Sequence, residues 1–595
     1  MFNRRMQDLF AFYQNQTQKY TAELSQKQKQ LWASSMLRLG GFVLAVIAIY
    51  VLRDTIKFVV AVLLATVILF LYLVSRHTNL QQKRDKLKAL IAINETEIQV
   101  LKRDFHHLPS GDEFKDSTHY YSQDIDLFGK GSFYQYSNRT ALKEGADMLA
   151  HILKENSIDA IKQKQEGIAE LAKNPQWRQE FSATASMVKT DTPTPTIINW
   201  LNNYKPFVPR FMKVLPWIFS GISVFLFILY FMDFLAESTL IYWVVFGLLL
   251  TGIYTRQIAR LGANSGKLLA TFHQYSKLLR LIEEQEFTSD FLMDKKSQIL
   301  SDGRKTSETL KEFSNLLNSL DRNNNIIYLI FGNGLFLMGL ATCFKMEKWI
   351  STYGSDVENW FNTIAFYDTY CTLGNFVFNH PDYTFPKIVK EGSTIKSVQA
   401  GHPLLAPEKS ILNDFEVKEE EFFIITGANM AGKSTFLRTV SLQLLMANIG
   451  LPVCAKSVTY KPIKLITSMR TTDSLTDDES YFFSELKRLK FIVDEIQKDH
   501  YFIVLDEILK GTNSTDKAKG SRKFLERLVV SNSTGIIATH DLSLCDVAEE
   551  LPQVKNYYFD AEIIANELHF DYKFKGGICQ NMNASFLLKK MEIVD

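Results

Sequence analysis

One stretch of eight residues, GANMAGKS from Gly427 to Ser434, restricts what this chain can fold into more than any other. It has the spacing G-x-x-x-x-G-K-[ST], follows the apolar segment FFIIT and precedes the helix-like segment TFLRTVSLQLLMAN. Glycines let successive backbone N–H groups turn toward a phosphate, and the start of a helix adds partial positive charge. The stretch therefore predicts a strand, a phosphate-binding loop and a helix, in that order.

The residue types of this loop suggest a role for several positions. Lys433 would reach the β- and γ-phosphates of a bound nucleotide, and the hydroxyl of Ser434 would bind Mg²⁺. We therefore expect ATP and Mg²⁺ as ligands. The loop residues predicted to bind them are Gly427, Asn429, Gly432, Lys433, Ser434 and Thr435.

A second apolar strand, YFIVL at 501–505, places Asp506 and Glu507 at its carboxyl end, where ligands of parallel sheets bind. Asp506 would hold Mg²⁺ through water, and Glu507 would orient and deprotonate the attacking water. The alternative is an acidic pair that merely caps a strand. The intact phosphate loop upstream favours the catalytic interpretation.

His540 follows a third apolar strand, GIIAT at 535–539, where a group that senses the γ-phosphate would be needed. A lone histidine is more often structural, but this position favours a functional role. The predicted catalytic residues are therefore Lys433, Glu507 and His540. Short strands that alternate with helices in this part of the chain predict a mostly parallel sheet covered by helices.

Four uncharged apolar runs lie upstream and form two close pairs. A bilayer-spanning helix needs about 20 mostly apolar residues, and the brief connections RDTIK and DFLAE suit two helical hairpins that return to the same side of a membrane. The alternative is a set of buried helices in a large soluble bundle. The runs are Leu39 to Leu52, Phe58 to Val74, Val214 to Met232 and Ser238 to Thr255.

Basic residues flank these runs and favour an orientation with both termini in the cytosol. We expect a multi-pass protein of the inner (cytoplasmic) membrane, with membrane lipid as a partner and the nucleotide site in the cytosol. Arg53 and Lys57 lie on the opposite side of the first pair. The residues on the proposed inner side are Lys27, Lys29, Arg38, Arg76, Lys83, Arg84, Arg210, Lys213, Arg256 and Arg260.

A fifth uncharged run, NNNIIYLIFGNGLFLMGLATCF from Asn323, is also long enough to span a bilayer. We predict that it is a buried core helix, because Gly332, Asn333 and Gly334 would face lipid poorly. An odd number of crossings would also place the nucleotide site outside the cell, where ATP is scarce.

The chain length and charge set further limits. Since single cores stop growing near ~250 to 300 residues, 595 residues predict a multidomain protein. Long helical stretches up to about residue 380 and short strands that alternate with helices after about Gly401 predict an α plus α/β fold. A net charge of +2 gives no sign of a strong nucleic-acid binder, and the five cysteines form no Cys-x-x-Cys pair that would indicate zinc.

The predicted domains are a cytosolic segment (1–36), a first membrane hairpin (37–76), an amphipathic linker (77–118), a helical core in two parts (119–213 and 256–385), a second membrane hairpin between them (214–255) and a nucleotide-binding domain (386–595).

Four segments, taken in order, resemble the ATPase domain of MutS, the DNA mismatch-repair proteins. They are TGANMAGKSTFLRTV, DSLTDDESYFFSELKRL at 473–489, LDEILKGTNSTDK and ATHD. Upstream, the segments at 124–153 and 161–172 resemble the start of the helical core or lever domain of that family, and the stretch from NNNIIYLIFGNGLFL to AGHPLL resembles its end. The resemblance covers residues 119–575 and is interrupted by the second apolar pair.

The resemblance implies a homodimer in which each ATP is bound between the loop of one subunit and a signature segment of the other. Ser480 would then contact the γ-phosphate held by the second subunit, and Asn513 would lie at the same interface. ATP binding and hydrolysis would close and open the ATPase domains and move the attached levers. The glycine expected in the signature is Asp478 here, and the mismatch-reading domain and the DNA clamp have no visible counterpart.

Two functions fit these observations. The first is a membrane-anchored dimeric MutS-like ATPase whose levers couple the ATP state to DNA, which the charge does not support, or to another ligand at the membrane. The second is an ATP-driven mechanical or transport-coupled module, closer in role to an ABC protein. An ionisable group inside the membrane is the expected mark of a transport pathway, and the apolar runs hold few, which favours the anchor.

Overall fold

The computed structural model describes residues 2–188, 192–262, 265–301, 303–322, 325, 328–428, 430–470, 481–564 and 567–580. The chain is mainly helical as far as Asn379, and strands alternate with helices from Lys387 onward. The predicted combination of an α part with an α/β part is therefore confirmed.

The helical part contains sixteen α-helices and one short hairpin of strands among its described residues. The helices are α1 (Phe2–Val51), α2 (Ile56–Leu101), α3 (Phe133–Ser137), α4 (Lys143–Lys154), α5 (Ile161–Lys173), α6 (Pro175–Ser186), α7 (Thr194–Asn202), α8 (Leu215–Phe231), α9 (Glu237–Gly252), α10 (Thr255–Gly262), α11 (Ser265–Glu284), α12 (Asp290–Ser297), α13 (Thr306–Asp321), α14 (Gly334–Phe336), α15 (Met338–Tyr353) and α16 (Val357–Asn379). The strands are β1 (Leu300–Ser301) and β2 (Arg304–Lys305).

Helices α1 and α2, of 50 and 46 residues, form one long antiparallel hairpin. The predicted boundary between residues 76 and 77 falls inside α2, because the charged sequence after Val74 contains no glycine or proline that would end the helix. By length and composition, Arg5–Val51 and Ala61–Leu101 each hold a stretch that could cross a membrane. The first apolar pair therefore forms the outer end of a stalk that begins in the helical core.

A buried polar network fixes the base of this stalk. The Tyr13 hydroxyl donates to Oδ1 of Asn379 at 2.7 Å, and Nδ2 of Asn379 donates to Oε2 of Glu97 at 2.7 Å. Nε of Arg139 donates to the other Glu97 oxygen, also at 2.7 Å. A buried carboxylate is tolerated when a cation and hydrogen-bond donors compensate it. The network therefore ties α1, α2 and α16 into one core.

The second apolar pair forms α8 and α9, of 17 and 16 residues, and α9 bends by 65° into α10. The fifth run does not form the single buried helix that its composition predicts. Tyr328–Asn333 is a π-helical turn, α14 follows, and the backbone reverses at Leu337, whose φ is 48°. Gly332, Asn333 and Gly334 are buried as expected, but several apolar neighbours are exposed.

The α/β part contains four helices and twelve strands among its described residues. They are β3 (Lys387–Ile388), β4 (Ser393–Ala400), β5 (Asn413–Lys418), β6 (Phe422–Gly427), α17 (Lys433–Asn448), β7 (Ser457–Tyr460), β8 (Lys464–Ser468), α18 (Tyr481–Glu495), β9 (Tyr501–Asp506), α19 (Ser514–Val530), β10 (Thr534–Ala538), α20 (Val547–Glu550), β11 (Val554–Phe559), β12 (Ala561–Ile564), β13 (Glu567–Phe570) and β14 (Lys575–Gly576).

The main sheet has the strand order β14-β11-β6-β10-β9-β8. All neighbours in it are parallel except β14, as the sequence predicts, whereas the smaller sheet β3-β7-β4-β5 is largely antiparallel. Strands β6, β10 and β9 are the three apolar segments of the sequence. Because they are adjacent and parallel, their carboxyl ends meet at one edge and bring the residues that follow them together.

Candidate functional site

The glycines of the loop between β6 and α17 occupy positions where a side chain would clash. Gly427 has a φ of 148°, and a Cβ there would lie 2.5 Å from the carbonyl oxygen of Phe559. Gly432 has a φ of 104°, immediately before α17, and a Cβ there would lie 3.1 Å from the ring of Tyr572. Glycine adopts such backbone conformations at no steric cost. The loop can therefore wrap closely around the start of α17.

Lys433, the first residue of α17, points back into this loop. Its side chain is buried, and Nζ donates to the carbonyl oxygens of Gly427 at 2.7 Å and Ala428 at 3.0 Å. Burial lowers the pKa of the ammonium group, while the carboxylates of Asp506 and Glu507 act in the opposite direction. A phosphate carries more negative charge than a carbonyl group and can therefore replace these two acceptors of the ammonium group.

Ser434 and Asp506 form the part of the site that could hold a metal ion. The Ser434 hydroxyl donates to Oδ2 of Asp506 at 2.8 Å, although the two residues come from α17 and β9. Burial raises the pKa of Asp506, so its negative charge is poorly compensated. A hydroxyl and a carboxylate are hard oxygen donors of the kind that Mg²⁺ prefers. The residues present therefore fit this ion.

Glu507 and His540 meet beside this pair. Nε2 of His540 lies 2.9 Å from Oε1 of Glu507 and 3.2 Å from Nζ of Lys433. One ring nitrogen cannot donate to the carboxylate and accept from the ammonium at once, and the shorter contact to the charged oxygen favours donation to Glu507. This hydrogen bond lowers the pKa of Glu507 to about 2. Glu507 is therefore fully ionised at neutral pH.

These side chains line a cavity of about 560 Å³. Gly432, Lys433, Ser434, Thr435, Asp506, Glu507 and His540 all contribute to its wall. The cavity is also lined by residues that no motif identifies, namely His402, Leu405, Lys409, Ser410, Ile411, Asn413, Phe436, Thr439, Phe559 and Tyr572. They come from the segment that leads into β5, from α17, from the end of β11 and from the loop after β13, so no sequence spacing relates them.

Four predicted site residues are not among the described residues that line this cavity. Gly427 instead accepts a hydrogen bond from Nζ of Lys433 through its carbonyl oxygen. Asn429 and Ser480 lie outside the described residues. Asn513 caps α19 instead, since its Oδ1 accepts from the backbone N–H of Asp516 at 2.9 Å and its Nδ2 donates to the carboxylate of Asp516 at 2.8 Å. Asparagine is a preferred residue at this capping position. This local role accounts for its side-chain contacts within one subunit.

Glu485 is a further residue of the site and is not among those predicted. It lies buried on α18, and its carboxylate accepts from the backbone N–H groups of Leu509 at 2.5 Å and Lys510 at 3.0 Å. These two residues follow Glu507 in the chain. The φ angles of Glu507 and Leu509 are 49° and 60°, which are unusual for residues with side chains. Glu485 therefore holds a strained loop that positions Glu507. In the sequence, only the position of this acid among the apolar residues of YFFSELKRL could have indicated such a role for Glu485.

A buried strand, a glycine-rich loop that starts a helix, and an acidic pair at the end of a parallel strand are the parts of a P-loop nucleotide-binding domain. Residues 423–591 match the MutS domain V family. The chain is also 30% identical over 250 residues to MutS protein homolog 4 of Homo sapiens, a match that covers 40% of this chain and 25% of that protein. These findings support a MutS-like family.

Two further relatives carry the name DNA mismatch repair protein MutS. That of Natronomonas pharaonis is 30% identical over 225 residues, which are 36% of this chain and 26% of that protein. That of Flavobacterium johnsoniae is 26% identical over 343 residues, which are 55% of this chain and 37% of that protein. The chain thus spans about a quarter to a third of the length of the curated relatives that it matches.

Proposed function

We propose that this protein is a membrane-anchored, homodimeric MutS-like ATPase that converts ATP binding and hydrolysis into movement of its helical core, in a role related to DNA mismatch repair. The observation that carries the proposal is the convergence of Lys433, Ser434, Asp506, Glu507 and His540 on one cavity. Each of these residue types has a part in phosphoryl transfer to water.

The geometry supports a sequence of events for hydrolysis. Arrival of a triphosphate draws Nζ of Lys433 away from the carbonyl oxygens of Gly427 and Ala428 toward the phosphate oxygens. Ser434 and Asp506 would hold Mg²⁺, which neutralises charge on the phosphates when bound. Glu507, ionised and oriented by His540, then accepts a hydrogen bond from the attacking water and fixes its direction.

The contacts between the α/β part and the helical core support coupling of the site to movement. Arg438 on α17 lies 3.5 Å from Asp126, and Arg470, just after β8, forms a two-pronged ion pair with the same carboxylate. Arg488 on α18 donates to the carbonyl oxygens of His119 and Tyr120 at 3.0 and 2.7 Å. The helix that starts at the phosphate loop and the helix that carries Glu485 thus both contact the first segment of the core.

The stalk and the second hairpin support the membrane anchor. Apolar side chains at the outer end of α1 and α2 and on α8 and α9 are extensively exposed, as at Leu44 (68%) and Trp217 (75%). Contiguous apolar surface of this kind is rare on soluble monomers and typical of contact with a membrane or a partner. The flanking lysines and arginines favour the cytosol for the α/β part.

Two parts of the proposal rest on the resemblance. The dimer is proposed from the way in which MutS-like ATPase domains share their nucleotides, with Ser480 completing the site of the second subunit. DNA is proposed as the ligand because the relatives are named for mismatch repair, although the charge of +2 does not favour it. A transport-coupled role is the alternative, and the small number of ionisable residues in the apolar runs favours the anchor over it.

The test combines ATP turnover with DNA binding on the detergent-purified full chain. Wild type and Glu507→Gln are compared in the presence of matched duplex, mismatched duplex and branched DNA. We expect Mg²⁺-dependent turnover in wild type and tight ATP binding without turnover in Glu507→Gln. Salt-dependent DNA binding that ATP releases supports the proposal. Turnover that is independent of DNA, without a gel shift, would replace the DNA role by the transport-coupled one.

A monomeric preparation and a Ser480→Ala variant test the shared site. If ATP is sandwiched between two subunits, both should lose most of the turnover while the cavity of each chain still binds nucleotide. Unchanged turnover in either would remove the dimer from the proposal.

A further inference from the structure

The segment Tyr328–Met338 breaks a long apolar run in an unusual way. Its π-helical turn and α14 end at Leu337, and α15 leaves at an angle of 78°. A sharp break leaves backbone N–H and C=O groups without partners in the helix. In water such groups bind solvent, whereas in the apolar part of a bilayer each must find a partner in the protein.

Two of the backbone groups at this break are satisfied by side chains. The carbonyl oxygen of Leu335 accepts from the Ser223 hydroxyl of α8 at 2.6 Å, and that hydroxyl accepts from Nε1 of Trp243 on α9 at 2.8 Å. The N–H of Gly339 donates to Oδ1 of Asn333 at 2.7 Å. Ser223 and Asn333 are each only 1% exposed. The second hairpin and the segment's own asparagine therefore supply buried partners to these two groups.

Backbone contacts join the segment to the second hairpin. A Cβ added to Gly247 of α9 would lie 2.2 Å from the carbonyl oxygen of Gly334, and one added to Gly334 would lie 2.7 Å from Cγ1 of Val244. Glycines at such contacts allow two backbones to approach closely, as in the packing of membrane helices. The segment and the hairpin therefore form one packed unit.

The outer side of the segment is apolar and open. Phe331 is 55% exposed, and Leu329, Ile330 and Met338 are exposed to lesser degrees. On the hairpin, Phe225 is 58% exposed. The polar side chains at the break are buried, whereas these apolar side chains of the segment are exposed. A loop that faces water has the opposite arrangement.

We propose that residues 328–338 form a re-entrant membrane element that enters the acyl-chain region of the bilayer together with the second hairpin. This inference rests on the proposed membrane anchor and adds a third inserted element to it. A re-entrant element enters and leaves on the same side, so the nucleotide site stays in the cytosol. Gly334, which is unsuited to lipid, lies against the hairpin instead, and Asn333 is buried against the backbone of its own segment.

The element also links the membrane to the helical core. It continues directly into α15, and Glu347 of α15 accepts from the backbone N–H of Phe207 at 2.7 Å and from the Tyr204 hydroxyl at 3.1 Å. Residues 204–208 lead into α8. Both the hairpin and the re-entrant element are therefore attached to the same helix of the core.

Site-directed spin labelling in phosphatidylcholine vesicles tests the proposal on the full chain. A nitroxide is attached to Phe331→Cys, with Phe225→Cys as the hairpin reference and Asn315→Cys on α13 as the exposed reference. A Cys454→Ser background removes the one native cysteine that is not buried. Collision rates are measured with oxygen, which concentrates in the acyl-chain region, and with a water-soluble nickel chelate.

We expect the ratio of oxygen to nickel collisions at Phe331→Cys to match that at Phe225→Cys and to exceed that at Asn315→Cys several-fold. If nickel dominates at Phe331→Cys while oxygen dominates at Phe225→Cys, the re-entrant element is overturned and the hairpin anchor stands. Nickel dominating at both sites would overturn the anchor as well. Few collisions with either reagent at Phe331→Cys would show a protein contact and also overturn the element. Ile330→Cys repeats the measurement should the first variant fold poorly.

Discussion

His540 holds Glu507 in place through a contact of 2.9 Å between its Nε2 and one carboxylate oxygen. The contact joins the ends of two adjacent parallel strands, β10 and β9. It has two effects, because it fixes the direction of the carboxylate and lowers the pKa of Glu507 to about 2.

The pH dependence of turnover should reveal this contact. In wild type Glu507 gains a proton only near pH 2, so its protonation does not limit turnover at pH 4.5. His540→Ala removes the N–H donor, so the pKa of Glu507 rises toward the usual glutamate value of about 4.3, and the ionised fraction of its carboxylate at pH 4.5 falls. We expect the ratio of kcat/KM at pH 4.5 to that at pH 8 to be lower in His540→Ala. An unchanged ratio would show that His540 does not lower the pKa of Glu507.

Glu485 should act on turnover more than on nucleotide binding. Glu485→Ala leaves two backbone N–H groups of the loop after Glu507 without partners and frees that loop to move. A displacement of Glu507 that costs about 1.4 kcal/mol in the transition state lowers kcat about tenfold. We expect at least this loss, with the Kd for a non-hydrolysable ATP analogue nearly unchanged. Asp494→Asn is the control and should retain full turnover, because this half-buried acid on the same helix pairs with Lys490 and does not contact the loop after Glu507.

Asp368 should make the stability of the helical core depend on pH. Its buried carboxyl accepts from the backbone N–H groups of Ala141 and Leu142 at 3.0 and 2.9 Å, and burial raises its pKa to about 7. Because the usual value in an unfolded chain is about 3.9, the folded state binds more protons between these values. Stability therefore falls as the pH rises from about 4 to 7.

Asp368→Asn should remove this slope. The amide oxygen can still accept both hydrogen bonds, and no charge is buried at high pH. We expect the free energy of unfolding of the variant to vary less with pH, and at pH 8 to be no lower than that of wild type. Urea unfolding at pH 5, 6, 7 and 8 measures both, with the exposed Asp356→Asn as control. A variant with the wild-type slope would assign the pH dependence to another group.

A methyl group at Gly247 should disrupt the packing of the second hairpin. The added Cβ would meet the carbonyl oxygen of Gly334, and overpacking of this kind typically costs about 1 to 3 kcal/mol. Gly221→Ala on α8 is the matched control, because a Cβ there meets no atom within 4 Å. We expect the melting temperature in detergent to fall in Gly247→Ala and to stay level or rise in Gly221→Ala. Equal effects would contradict the close contact.

The sequence predicts the nucleotide cavity in part, for a physical reason. The glycine spacing fixes a strand, a loop and a helix, and apolar strands of a parallel sheet end at a common edge, which brings Ser434 and Asp506 within hydrogen-bonding distance. Tyr572 and Glu485 could not be predicted in this way. Their contacts depend on where the chain returns after β13 and on how α18 packs, and neither leaves a periodic pattern.

The fifth apolar run shows a different limit. Its composition indicates that it avoids water, but does not say whether the backbone is continuous. The break at Leu337 depends on side chains of α8 and α9 that lie far away in sequence, above all Ser223. The length of an apolar run likewise does not predict the length of its helix, because in the stalk α1 begins far before its apolar part and α2 continues far beyond its own.

The stalk also fixes a height. Tyr13 is held in the core by Asn379, and Trp32, 67% exposed, marks the start of the outer apolar surface of α1. At 1.5 Å per residue, the helix between them rises roughly 30 Å. The outer apolar surface of the stalk is thus held at a fixed distance from the helical core. The number of residues in the helices between them determines that distance.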